Sequence, residues 1–251
     1  MTQSRKYWSL LAGTAFTAAA LCAGAASAQQ PPRQPRPAAQ QPAQPPQHTA
    51  QPAPPAATQG PAPAIAPAST AEVTGFRSAH FGMNETEVRA AIVRDLGVKA
   101  TDIKSEPNRG EQTTVLTVKA PDVLPGGGTA DVSYVLGYKT HQLIQVGITW
   151  SKASDDKITP EQLFSNSSVL RSHFLSAGYK PESIATNMPI NGGLLMFRGS
   201  DDKDRTTMLI LQGTLTQGEN NQRVLTPTSL LLFYVADAKA PDVYRLPAGS
   251  F

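Results

Sequence analysis

The chain has little of what usually staples or catalyses. One cysteine, Cys22, and four histidines stand in 251 residues. A lone cysteine excludes any disulfide within the chain, so burial alone must hold the fold. Acid is missing from the first 70 residues, whose charges are Arg5, Lys6, Arg33 and Arg36. The other 18 basic residues face all 19 acids, so the net charge of +3 belongs to the N-terminal part and the remainder is close to neutral. A near-neutral domain with interspersed signs lacks the basic face that neutralises phosphates, and no nucleic-acid partner is expected. Long apolar runs are missing too: the run from Leu10 to Leu21 is too short to cross a bilayer comfortably.

That run follows Arg5 and Lys6 and precedes Ala26-Ser27-Ala28, the small-residue pattern cut by signal peptidase. Residues 1–28 are therefore expected to be a signal peptide, with the mature chain starting at Gln29 in the periplasm or secreted, and with no integral membrane span after cleavage. Leu21 stands before Cys22 where a lipid-attachment site wants a small residue, so the cysteine is expected to leave with the signal. From 29 to 72 the composition turns to Pro, Ala and Gln, with 13 of the 22 prolines between Gln29 and Thr70. Such a segment lacks the apolar side chains that repay ordering, and reads as a disordered tether with polyproline II character and a reach on the order of 100 Å.

The rest, 73–251, reads as α+β. Asn84 and Glu87 have the capping-box spacing; Val88, Ala91, Ile92 and Leu96 fall on one helical face, and Gly97 stops the helix. Three strand-like runs follow, Thr113–Val118, Ala130–Tyr138 and Leu143–Trp150. Thr159-Pro160-Glu161-Gln162 opens a second helix, with Gln162 closing a box and Leu163, Phe164, Leu170, Phe174 and Ala177 on its apolar side. Three more runs come at Gly193–Arg198, Thr206–Gly213 and Ser229–Ala236. The expected architecture is two tandem helix-plus-three-stranded antiparallel units (αβββ-αβββ), 73–157 and 158–251. Asn84, Val88, Arg89 and Ile92 match Asn166, Leu170, Arg171 and Phe174 at one offset, which reads as an internal repeat. The pentapeptide Lys119-Ala120-Pro121-Asp122-Val123 recurs as Lys239–Val243 in a different register and has no physical account at this level.

The motif Gly82-Met83-Asn84-x-x-Glu87-Val88, ending in Leu96-Gly97 and followed by strands, resembles the SmpA/OmlA outer-membrane assembly lipoproteins. The doubled helix-plus-sheet order resembles the secreted β-lactamase-inhibitor protein. The likeness covers the folded part in architecture and only the first helix by residue. Both families bind other proteins and are not enzymes, which is what the resemblance implies here.

Chemistry has little to work with. His80, His141 and His173 stand singly, without metal-ligand spacing, and His173 is expected to be a partly buried packing residue. The Asp201, Asp202 and Asp204 cluster lacks calcium-loop spacing and reads as a hairpin tip. No metal and no cofactor is expected. A hydrolase would need Asp131 or Glu111 to meet a histidine in a cleft. More informative are Met208–Leu211 and Leu230–Val235, apolar on both alternating faces and so in need of cover on both sides. Either the two halves pack together there or a partner covers them, and the tail Pro241–Phe251 is a candidate to fold over the same surface. Tyr138, Trp150 and Tyr234, near strand ends, are the candidate protein-binding anchors. The expected function is non-catalytic binding or scaffolding of an envelope protein, with a periplasmic hydrolase inhibitor as the alternative and a cell-wall or small-ester hydrolase as a third; the oligomeric state stays open.

Overall fold

A computed structural model describes residues 70–217, 223–246 and 249. The expected signal peptide and the tether up to residue 69 lie outside the described residues. A short hairpin, β1 (Gly75–Phe76) and β2 (Ala79–His80), leads into α1 (Glu85–Leu96). A 3-10 turn at Ala100–Asp102 and four strands follow: β3 (Lys104–Asn108), β4 (Thr113–Ala120), β5 (Ala130–Leu136) and β6 (Leu143–Ser151). Then come α2 (Pro160–Ser176), a 3-10 turn at Pro181–Ser183, β7 (Met188–Ile190), β8 (Gly193–Ser200), β9 (Thr206–Gln217) and β10 (Arg223–Val235).

The expected tandem of αβββ units is overturned. Strands of both halves form one eight-stranded antiparallel sheet in the order β3-β4-β5-β6-β10-β9-β8-β7, and the two helices are the minor part. The halves join where Ser229–Val235 pairs with Gln145–Ser151. Two separate three-stranded sheets would have left these apolar strands as open edges, whereas pairing them satisfies both rows of peptide groups. The sequence reading also lacked β3 and β7. Lys104-Ser105-Glu106-Pro107-Asn108 and Met188-Pro189-Ile190 hold no long apolar alternation, and each contains a proline. They are the two sheet edges, where proline is tolerated and blocks pairing with a further strand.

α1 follows its sequence signals. Asn84 Oδ1 accepts from Glu87 N at 3.1 Å, Glu87 Oε2 accepts from Asn84 N at 2.9 Å, and Gly97 takes the left-handed conformation at φ 64°. In α2, Thr159 caps Gln162 N at 3.2 Å, but the Gln162 side chain does not close a box; its Nε2 donates to Gly126 O at 3.1 Å and to Asn166 Oδ1 at 3.0 Å. Asn166 Nδ2 in turn donates to Gly127 O at 2.8 Å, so this helix pins the glycine loop between β4 and β5. Asn166 thus sits buried inside a helix, unlike Asn84 at its cap. Phe164, expected on the apolar side, is 56% exposed, because Leu163, Leu170 and Phe174 alone face the sheet.

Alternate residues of the sheet, from Leu116 and Val132 through Ile148 and Leu232 to Leu209 and Phe197, meet both helices in one core. The double-sided apolar strands are not covered by one half packing face to face on the other, since the halves lie side by side. On the second face Ile210, Leu231, Phe233 and Val235 pack with Leu195 and Met208, a cluster drawn from β8–β10 alone. The tail does not cover it either: Asp242 O accepts from Tyr138 N at 2.9 Å and Tyr244 N donates to Glu111 O at 2.8 Å, which places the tail at the turns of the first half. No helix among the described residues is long and apolar enough to cross a membrane.

Candidate functional site

Two features of the folded unit stand apart from its core. The first is a cleft between the β1–β2 hairpin and α2, over the seam where β6 meets β10. Side-chain alternation places Ile148 and Trp150 of β6 and Leu232 and Tyr234 of β10 on its floor, and Val169, His173 and Phe174 project from α2 at helical spacing. An inner volume of about 310 Å³ is lined mainly by apolar side chains, including Val123 and Leu124. It adjoins an outer volume of about 450 Å³ whose lining includes Thr70, Glu72, Arg77 and Tyr179. Phe76 stacks on Tyr234 at 6.2 Å and 20°, and Phe174 meets Tyr234 edge-on at 6.4 Å and 80°, which fixes the rings between the two volumes.

Of the three candidate anchors, Trp150 and Tyr234 come together in this cleft, and Tyr138 does not. Trp150 is 1% exposed, and its Nε1 has no hydrogen-bond partner among the described residues. Burial pushes the Tyr234 phenol up from its ordinary value. Tyr138 instead meets Tyr244 of the tail edge-on at 5.5 Å. His173 is exposed at the cleft rim, 5.4 Å from the Phe174 ring, rather than partly buried as expected. Arg77 and Phe76 escaped the sequence reading because a hairpin of two-residue strands has no periodicity to detect.

The second feature is an arm. β9 and β10 stay paired for five residue pairs, Gly213↔Pro227 to Gln217↔Arg223, beyond the points where their neighbours stop. The last registered partners are Gln212 for β8 and Ser229 for β6. Leu215 and Val224 on this ribbon are each 48% exposed.

The acids named for hydrolysis are elsewhere. Burial raises the Asp131 carboxyl, opposed by Lys119 and Lys104, and burial raises that of Glu111, opposed by Arg245. Neither is bonded to a histidine among the described residues; Glu111 accepts from Asn108 Nδ2 at 3.0 Å. The Asp201–Asp204 tip does not converge on a point. Asp201 is turned inward, accepting from Val73 N at 2.9 Å and Arg205 Nε at 2.8 Å, while Asp204 turns outward to Lys180 Nζ at 2.6 Å and Lys239 Nζ at 3.0 Å.

Comparison with protein-family models, with curated proteins and with solved structures found no match to this chain.

Proposed function

We propose that the chain is a non-catalytic binding module of the bacterial envelope, exported by its N-terminal signal and engaging a protein partner through the β9–β10 arm. The arm carries this reading. Both outer edges of the sheet hold a proline, Pro107 and Pro189, which discourages strand addition there. The arm instead presents two short edges without a neighbouring strand and two half-exposed aliphatic side chains. A partner can add a strand to such an edge and pocket alternate side chains, and this accounts for a ribbon that adds nothing to the core. The same projection favours one second reading, an inhibitor that inserts the arm into the cleft of a periplasmic hydrolase.

The test is site-specific photocrosslinking in cells of the source bacterium. A benzophenone side chain at Leu215 or Val224 is expected to yield one discrete adduct, and the same group at Lys99, on the 3-10 turn after α1, none. A hydrolase in that adduct, losing activity on adding purified chain, selects the inhibitor reading. Adducts equal at all three positions, or none at Leu215 and Val224, defeat the assignment of the arm.

A further inference from the structure

The cleft between α2 and the β1–β2 hairpin plays no part in binding through the arm, and its chemistry points to a different ligand. Its inner volume of about 310 Å³ is apolar, with Leu124, Ile148, Trp150 and Leu232 in its lining. The adjoining outer volume is lined in part by Arg77 and Glu72. These two charges are not equivalent. Glu72 already has Lys203 Nζ at 3.4 Å and Arg205 at 3.5 Å. Arg77 lies over the Phe76 ring at 5.3 Å and donates to the backbone oxygen of Asp95, with no side-chain carboxylate in an ion pair among the described residues. Its backbone is held at φ 52°, in the left-handed region that disfavours a side chain. A glycine would make this two-residue turn at less cost. A cation kept in a strained turn beside an apolar cavity is complementary to an anion carrying an apolar body.

We propose that this cleft binds a small single-chain anionic amphiphile, with its apolar tail in the inner volume and its acid group at Arg77. Burying the tail supplies affinity, and the guanidinium selects the charge of the head. The rings of Phe76, Phe174 and Tyr234, shared by both volumes, hold the chain where tail gives way to head.

Trp150 makes the cleft its own reporter, because Trp8 is the only other tryptophan. The chain carrying Trp8→Phe, recovered after export, is titrated with laurate and with dodecyltrimethylammonium below their micellar concentrations. Tryptophan emission and calorimetry follow the binding. Laurate is expected to bind saturably and the cationic amphiphile far more weakly. Arg77→Gly suits the positive φ and so keeps the fold, and is expected to weaken laurate roughly tenfold or more, with Arg77→Lys retaining most of the affinity. Val169→Asp, at a rim position 55% exposed, is expected to weaken laurate as well by placing a like charge beside the entering acid. No saturable heat or emission change with laurate would overturn the proposal. So would equal binding of the cationic amphiphile, or an Arg77→Gly chain that binds laurate as well as the parent.

Discussion

Gly147 of β6 lies directly opposite Phe233 of β10, at the seam that makes one sheet of two sets of strands. A Cβ on Gly147 would come to 3.2 Å from Phe233 Cε1 and 2.8 Å from Ser133 Oγ. Ser133 Oγ is itself committed, donating to Gly147 O at 3.1 Å. The ring of Phe233 lies across the space that a side chain would occupy, and so closes the seam on the second face of the sheet. Gly147→Val should destabilise the fold by about 1–3 kcal/mol through overpacking, read as a lower urea midpoint at unchanged slope. An unchanged midpoint would mean that the seam relaxes without cost.

The N-terminal arm of the folded unit hangs on one buried carboxylate. Asp201, 1% exposed, accepts from Val73 N, Lys203 N, Arg205 N and Arg205 Nε, all between 2.8 and 2.9 Å. Asp201→Ala leaves a largely buried guanidinium and three backbone donors without that acceptor, and should cost about 3–5 kcal/mol. Amide exchange around Val73 should rise together with the loss of global stability. Exchange there unchanged at full stability would show that the staple is dispensable.

Two carboxylates pin the tail and set its response to acid. Hydrogen bonds and charge from Lys180 and Lys239 hold Asp204 at about 2. For Asp242, burial pushes the carboxyl up, but hydrogen bonds from Thr140 Oγ1, Thr140 N and Lys139 N outweigh it and leave it below its ordinary value. A carboxylate with a depressed folded-state pKa adds its stability above its unfolded value and loses it as pH falls through the folded one. The tail contacts should therefore be complete above about pH 4 and lost toward pH 2. Both groups are largely in solvent, so the effect should be local. Exchange of amides 237–246, corrected for intrinsic rate, should rise in that window, and Asp242→Asn should raise it already at neutral pH. A flat profile would contradict the pinning.

The arm should separate binding from folding. Leu215→Lys and Val224→Lys alter side chains that are 48% exposed, and should shift stability by no more than about 0.5 kcal/mol while abolishing the photocrosslinked adduct. A variant that loses thermal stability in proportion to binding would instead make the ribbon part of the fold.

The capping box of α1 gives a local control. Asn84→Ala removes the acceptor for Glu87 N and should cost about 1 kcal/mol by thermal unfolding. A loss well beyond 2 kcal/mol would mean that Asn84 also supports its bridge to Gln142.

What the chain's order of residues determined on its own was local. Asn84 with Glu87, Gly97, Thr159 before Pro160, and the alternation of Ala130–Leu136 act through groups only a few positions apart, and helix ends and strand faces followed from them. The double-sided apolar character of Leu230–Val235 was also legible, but its meaning was not. Whether β10 ends a sheet or bridges two sets of strands depends on β6, nearly a hundred residues away, and no local pattern carries that pairing. The edge strands stayed hidden because an edge needs neither alternation nor freedom from proline. The cleft exists only because tertiary pairing sets Trp150 and Tyr234 on one floor and lays Phe174 and the strained turn at Arg77 against it. Propensity and capping are read over one or two turns of chain, whereas a binding surface is assembled from residues that the sequence keeps apart.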